Sequence, residues 1–86
     1  MTYRVEVRPS ARRDFDRLPL KAFGAVVAFM AGPLSENPHR VGKPLRNEFE
    51  GLFSSRVGTY RILYEIDDVA RVVAIMRIAH RSGAYR

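Results

Sequence analysis

The residues His80-Arg81-Ser82-Gly83-Ala84-Tyr85-Arg86 bring an imidazole, a guanidinium and a phenol together at the end of an apolar, β-patterned run. Guanidinium groups bind phosphate bidentately and stay charged at any relevant pH. An imidazole, with an ordinary pKa of about 6.5, serves as acid or base near neutrality. A phenol stacks on a nucleobase, a contact that tolerates any sequence. Arg56 and Arg61 lie on upstream segments that pattern as strands able to neighbour this run. Such a set suits a basic site that grips a nucleic-acid backbone and stabilises charge on a phosphate in transition.

A sheet must position these groups, and the patterning supplies one. Residues 3–8 alternate, with Tyr3, Val5 and Val7 on the covered face of a strand. Pro9-Ser10 marks a stop, with Ser10 as a helix N-cap. Ala11, Phe15 and Leu18 then predict a short helix over 11–18. Pro19 breaks it. A second helix starts near Leu20, with Phe23, Val26, Val27 and Met30 on its buried face, and Gly32-Pro33 ends it. Residues 35–51 hold Pro38, Gly42, Pro44 and Gly51 without a period, which reads as a long surface loop with a turn of helix at 46–49. Strands follow over 52–57, 60–66 and 71–79, joined by Gly58-Thr59 and Asp67-Asp68. The expectation is one α+β domain spanning 1–86, in the order β-α-α-β-β-β. The N-terminal strand and helical hairpin would pack on one face of an antiparallel sheet.

Period-two geometry then sorts the charges. Tyr60, Ile62, Tyr64 and Ile66 form the core face of their strand, so Arg61 points to the open side with Leu63 and Glu65. With Phe53 and Val57 in the core, Arg56 joins Arg61. With Val72, Ala74, Met76 and Ile78 as the core set of the last strand, Arg77 and Arg81 join them. The loop cations Arg40, Lys43 and Arg46 border this face, so Lys43, Arg46 and Arg77 are expected to bind substrate. Strand parity puts His80 with Ile78, unless the strand ends at Ala79 and frees it for proton transfer. His39 reads as a solvated surface histidine, Tyr60 and Tyr64 as core, and Arg12, Arg13 and Arg17 as the wet face of the first helix.

The formal net charge of +6 points to an anionic partner, with nucleic acid first, an acidic protein second and a membrane surface third. Cysteine is absent, which excludes disulfides and thiolate metal sites and fits a reducing cytoplasm. No apolar run approaches the roughly 18 residues of a membrane span, and no signal-peptide pattern opens the chain.

The hairpin Tyr60-Arg61-Ile62-Leu63-Tyr64-Glu65-Ile66-Asp67 is preceded by Gly42-Lys43-Pro44-Leu45 and Gly51-Leu52-Phe53, and followed by His80-Arg81 with Tyr85. In this it resembles the RelE/ParE toxin superfamily of bacterial type II toxin–antitoxin systems. The terminal His-Arg and Tyr are closer to the RelE ribonuclease branch than to the ParE gyrase-poison branch. The resemblance implies a cytoplasmic toxin that enters the ribosomal A site and cuts translated mRNA without a metal or other cofactor. The RNA 2′-hydroxyl attacks the adjacent phosphate, leaving a 2′,3′-cyclic phosphate and a 5′-hydroxyl. It also implies a cognate acidic antitoxin that wraps the toxin in a hetero-oligomer. Carried across by residue, Arg61 and Arg81 match the phosphate-binding arginines, and Tyr85 matches the tyrosine that stacks on or orients a base. Arg56 sits where some relatives carry a basic residue, and His80 where members carry lysine or histidine. The chain departs from relatives with paired lysines on the second strand, having Ser54-Ser55-Arg56 there. Arginine is too basic to act as a general base. Glu48 and Glu50 do not fall in register with the glutamate base of other relatives. The rival expectations are a ParE-like inhibitor of DNA gyrase and a non-catalytic RNA- or ribosome-binding module.

Overall fold

The structure, a computed structural model, describes residues 2–82. In chain order it contains β1 (Arg4–Val7), α1 (Pro9–Asp16), α2 (Leu20–Ala31), one-turn α3 (Pro33–Glu36) and β2 (Lys43–Pro44). A 3-10 turn at Asn47–Phe49, β3 (Phe53–Val57), β4 (Tyr60–Asp67) and β5 (Val72–His80) complete it. The α+β class and the expected element order hold. Two short additions escaped the pattern: Pro33 restarts a helical turn after Gly32, and Lys43–Pro44 pairs with β3 inside the expected loop.

The sheet has five strands in the order β1-β5-β4-β3-β2. It is mixed rather than wholly antiparallel, because β1 runs parallel to β5 while the other pairs are antiparallel. No tight turn joins β1 to β5, so nothing local dictates their relative direction. β1 pairs only with Val72–Ile75, which leaves the rest of the β5 edge to α1. The N-cap expected at Ser10 is not formed. Pro9 opens α1, where its missing N–H costs nothing. The Ser10 hydroxyl instead donates to the Met76 carbonyl at 2.7 Å. Ile78 N–H donates to Asp14 Oδ2 at 3.0 Å, so two side chains one helical turn apart satisfy the strand edge.

The helices cover one face of the sheet. Ala11, Val26 and Leu34 meet Tyr3, Ile62, Tyr64, Val73, Ile75 and Ile78 there. Alternation on β4 is as expected, with Ile62 and Tyr64 in the core and Tyr60 and Ile66 packed against it. The core set expected on β5 needs correction. Val73 and Ile75, not Val72, Ala74 and Met76, face the helices, and Ile78 follows. The register slips at Leu63/Tyr64: Leu63 opposes Arg77 while Tyr64 opposes Ile75, so Met76 is an extra residue. A bulge of this kind reverses the side-chain alternation of its strand. Beyond it Arg77, Ala79 and Arg81 fall on the open face, as the sequence suggested. On α2 only Val26 of the expected stripe is fully buried. Phe23 stays partly exposed with its ring tilted against Phe15, centroids 4.9 Å apart.

Candidate functional site

Two cross-strand rows build the open face. Lys43 opposes Ser54, Ser54 opposes Leu63, and Leu63 opposes Arg77. In the next row Arg56 opposes Arg61, which opposes Ala79. Opposed residues share a face, and so do residues two apart. Lys43, Arg56, Arg61 and Arg77 therefore emerge together, away from the helices. Arg81 follows Ala79 at the same parity, and its N–H donates to the Thr59 carbonyl at 2.8 Å, carrying the β4–β5 ladder past His80.

A groove of about 560 Å³ runs across this surface, lined by Arg40, Lys43, Ser54, Arg56 and Arg61 among others. No carboxylate is among its lining residues. The opposite end of the same face is acidic. Glu6, Glu65, Asp67 and Asp68 line a second hollow of about 550 Å³, with Arg8 beside them. A polyanion is thus attracted to one end of the sheet and repelled from the other.

The expected site residues divide into groups. Arg56 and Arg61 line the groove with Lys43, and Arg81 lies on their side of the sheet. Arg77 shares the face, but its Nε donates to Asp14 Oδ2 at 2.7 Å. Arg46 is exposed ahead of the 3-10 turn and is not part of the groove lining. His80 belongs to β5, so the strand does not end early. It opposes Tyr60 on the helix-covered side, with ring centroids 5.4 Å apart and edge to face. The structure does not bring it to the arginines. Tyr85 lies outside the described residues. His39 is more than a solvated histidine: its Nε2 contacts both Asp68 oxygens, at 2.9 and 3.1 Å. Among the described residues, no three His, Asp or Glu side chains gather to hold a metal ion. Sequence reasoning did not name Ser54 as a groove residue, although its parity with Arg56, two residues on, was the available sign.

Two carboxylates have altered acidity. Burial pushes the Asp14 carboxyl up, but the Arg77 hydrogen bond, the Ile78 N–H and the charges of Arg77 and Arg17 outweigh it and hold the group below its usual range. The Tyr3 hydroxyl, 2.6 Å away, leads in lowering Asp68, with His39 next. A depressed folded-state pKa means the folded form keeps its charge longer than the unfolded chain. The stability this adds is complete above the ordinary aspartate value of about 4 and is lost as pH falls through the lower folded values. The urea midpoint should accordingly hold between neutrality and about pH 5, then drop as acid approaches the depressed values. Asp14→Ala should remove part of that acid-dependent drop. It should also cost about 1–2 kcal/mol at neutral pH, mainly by orphaning the Ile78 N–H, because the exposed Arg77 contact adds little. Urea unfolding of the variant at neutral and acid pH checks both statements.

The chain has clear relatives. The family described as the ParE toxin of the type II toxin–antitoxin system parDE matches residues 5–85. Toxin RelE of Mycobacterium tuberculosis is 54% identical over 84 residues, covering 98% of this chain and 87% of that protein. Toxin RelG of the same organism is 52% identical over 86 residues, covering 100% of this chain and 99% of that protein. Among solved structures, the toxin–antitoxin complex RelBE2 of M. tuberculosis matches with a TM-score of 0.90 and 52% identity, over 94% of this chain and 100% of that one. A mutant Escherichia coli toxin RelE in the free state matches with a TM-score of 0.80 over 98% of this chain and 88% of that one. At 16% identity, that likeness shows the fold alone.

Proposed function

This chain belongs to the RelE/ParE superfamily of type II toxin–antitoxin toxins, and from that premise we propose that it cleaves mRNA on the translating ribosome. The observation that carries the reading is the row of Lys43, Arg56 and Arg61 in one groove on the open sheet face, with Arg81 on the same side. In the reaction, the 2′-oxygen forms a bond to the adjacent phosphorus and the bond from phosphorus to the 5′-oxygen breaks. The products are a 2′,3′-cyclic phosphate and a 5′-hydroxyl. The 2′ proton passes to solvent water, and the departing 5′-oxygen takes one from water. Negative charge grows on the non-bridging oxygens, where guanidiniums fixed by the sheet stabilise it most. Arg61 and Arg81 take this role, Arg56 supports them, and Lys43 and Arg40 hold flanking phosphates. Tyr85 stacks on or orients the base.

The groove contributes charge stabilisation and orientation, and its lining offers neither an imidazole nor a carboxylate for proton transfer. In this reading the ribosome supplies the remaining positioning of the substrate, which accounts for a restriction to translated message. The proposed neutralising partner is an acidic antitoxin, which meets the +6 chain with opposite charge. No helix among the described residues is long and apolar enough to cross a membrane. A cytoplasmic site of action goes with the ribosomal substrate.

The test is primer extension on a reporter message after pulse expression, with and without a start codon. Breaks within the translated frame that vanish when the start codon is removed are expected. Intact message alongside growth arrest and inhibited DNA supercoiling would overturn the ribonuclease reading in favour of gyrase, the target that the ParE name suggests.

A further inference from the structure

The wall of the basic groove is held from behind. Tyr64 and Ser55 lie on the helix-covered face, Tyr64 fully buried and Ser55 nearly so. The Tyr64 hydroxyl donates to the Pro38 carbonyl at 2.8 Å, and the Ser55 hydroxyl donates to the Val41 carbonyl at 2.8 Å. The two hydroxyls are 3.1 Å apart. Directly after the second anchor point the chain passes over them at Gly42, where an added Cβ would overlap the Tyr64 hydroxyl. Glycine is required there for close approach of the backbone rather than for a turn.

We propose that Tyr64, Ser55 and Gly42 form a positioning clamp that sets Arg40 and Lys43 beside Arg56 and Arg61. The proposal rests on reading the groove as an RNA site and names the residues that fix half of its cations. The anchored segment is itself groove wall: Arg40, Gly42 and Lys43 line the cavity on one side and Arg56 and Arg61 on the other. β2 alone is too short for this task, pairing at only Lys43 and Pro44. Packing needs a ring at position 64, but not a hydroxyl, and Ser55 adds little apolar burial. Both hydroxyls are spent on carbonyls of one loop, which distinguishes a clamp from ordinary core. Tyr64 is not among the groove-lining residues and acts through the loop, while Ser55 and Gly42 reach the lining but carry no charge. The Tyr64 hydroxyl is protonated throughout the neutral range, as any phenol is, and burial raises its pKa further.

The test measures fluorescence anisotropy of a short labelled single-stranded RNA over a series of salt concentrations. It compares wild type, Lys43→Ala, Tyr64→Phe and the double variant, with urea midpoints to confirm that each is folded. For a single strand, every phosphate that is no longer neutralised lowers the slope of log K against log salt by about 0.7. Both single variants are expected to reduce the slope by at least that much. The double variant should reduce it no further than Tyr64→Phe alone, since one change pre-empts the other. Ser55→Ala, which spares the ring and the Tyr64–Pro38 bond, should shift the slope in the same direction. An unchanged slope in folded Tyr64→Phe and Ser55→Ala, with Lys43→Ala still reducing it, would overturn the clamp and leave the RNA site standing. Absence of salt-dependent RNA binding by the wild type would overturn both.

Discussion

Arg61→Ala should abolish growth arrest and slow message cleavage about 10²- to 10³-fold, with the urea midpoint close to wild type. Arg61 stands between Arg56 on β3 and Ala79 on β5, half-buried and carried by a strand hydrogen-bonded on both sides. A cation fixed in this way need not reorganise as charge grows on the phosphate, and partial exclusion of water strengthens its effect. Arg56 is exposed, so Arg56→Ala should reduce the rate less than Arg61→Ala does. Arg61→Lys keeps the charge but not the two-pronged grip, and should recover only part of the rate. The measurement is a cleavage time course on ribosomes programmed with a defined message. Wild-type rates in a folded Arg61→Ala protein would remove this residue from the chemistry.

The position of Arg61 was legible because β4 carries an unbroken alternation of large apolar groups, and strict period two leaves one assignment of faces. β5 is nearly continuous in apolar residues from Val72 to Met76, so either parity satisfies the pattern. The bulge at Met76 decides the matter through pairing with β4, and no single-strand pattern encodes that. Arg77 and Arg81 were still placed on the correct face because both lie beyond the bulge. What Arg77 does there was not legible. Its partner Asp14 is 63 residues away and reaches the strand only because β1 stops short. His80 shows the converse. Parity put it with Ile78, and the structure keeps it there against Tyr60. The chemistry its residue type suggests is thus separated from the arginines by the thickness of the sheet. The α2 stripe misled for another reason. Nearly every position of that helix is apolar, so periodicity barely distinguishes its buried face from its exposed one.

Tyr64→Ala should cost about 3–5 kcal/mol, the largest stability loss expected of any single change near the site. The side chain has no solvent exposure, and its ring stacks on Phe53 with centroids 5.8 Å apart. Truncation empties the space between β3, β4 and the loop over 38–42. It also strips the Pro38 carbonyl of its donor and removes a neighbour of the Ser55 hydroxyl. Domains of this size have on the order of 5–15 kcal/mol in total, so urea unfolding should show a marked fall in midpoint and a population of unfolded chain at modest denaturant. Tyr64→Phe keeps the ring and should cost only about 1 kcal/mol, the net value of a buried neutral hydrogen bond. The difference between the two variants therefore measures packing, and the smaller loss measures the tie to the loop. Equal losses would show that the hydroxyl, rather than the ring, holds this end of the sheet together.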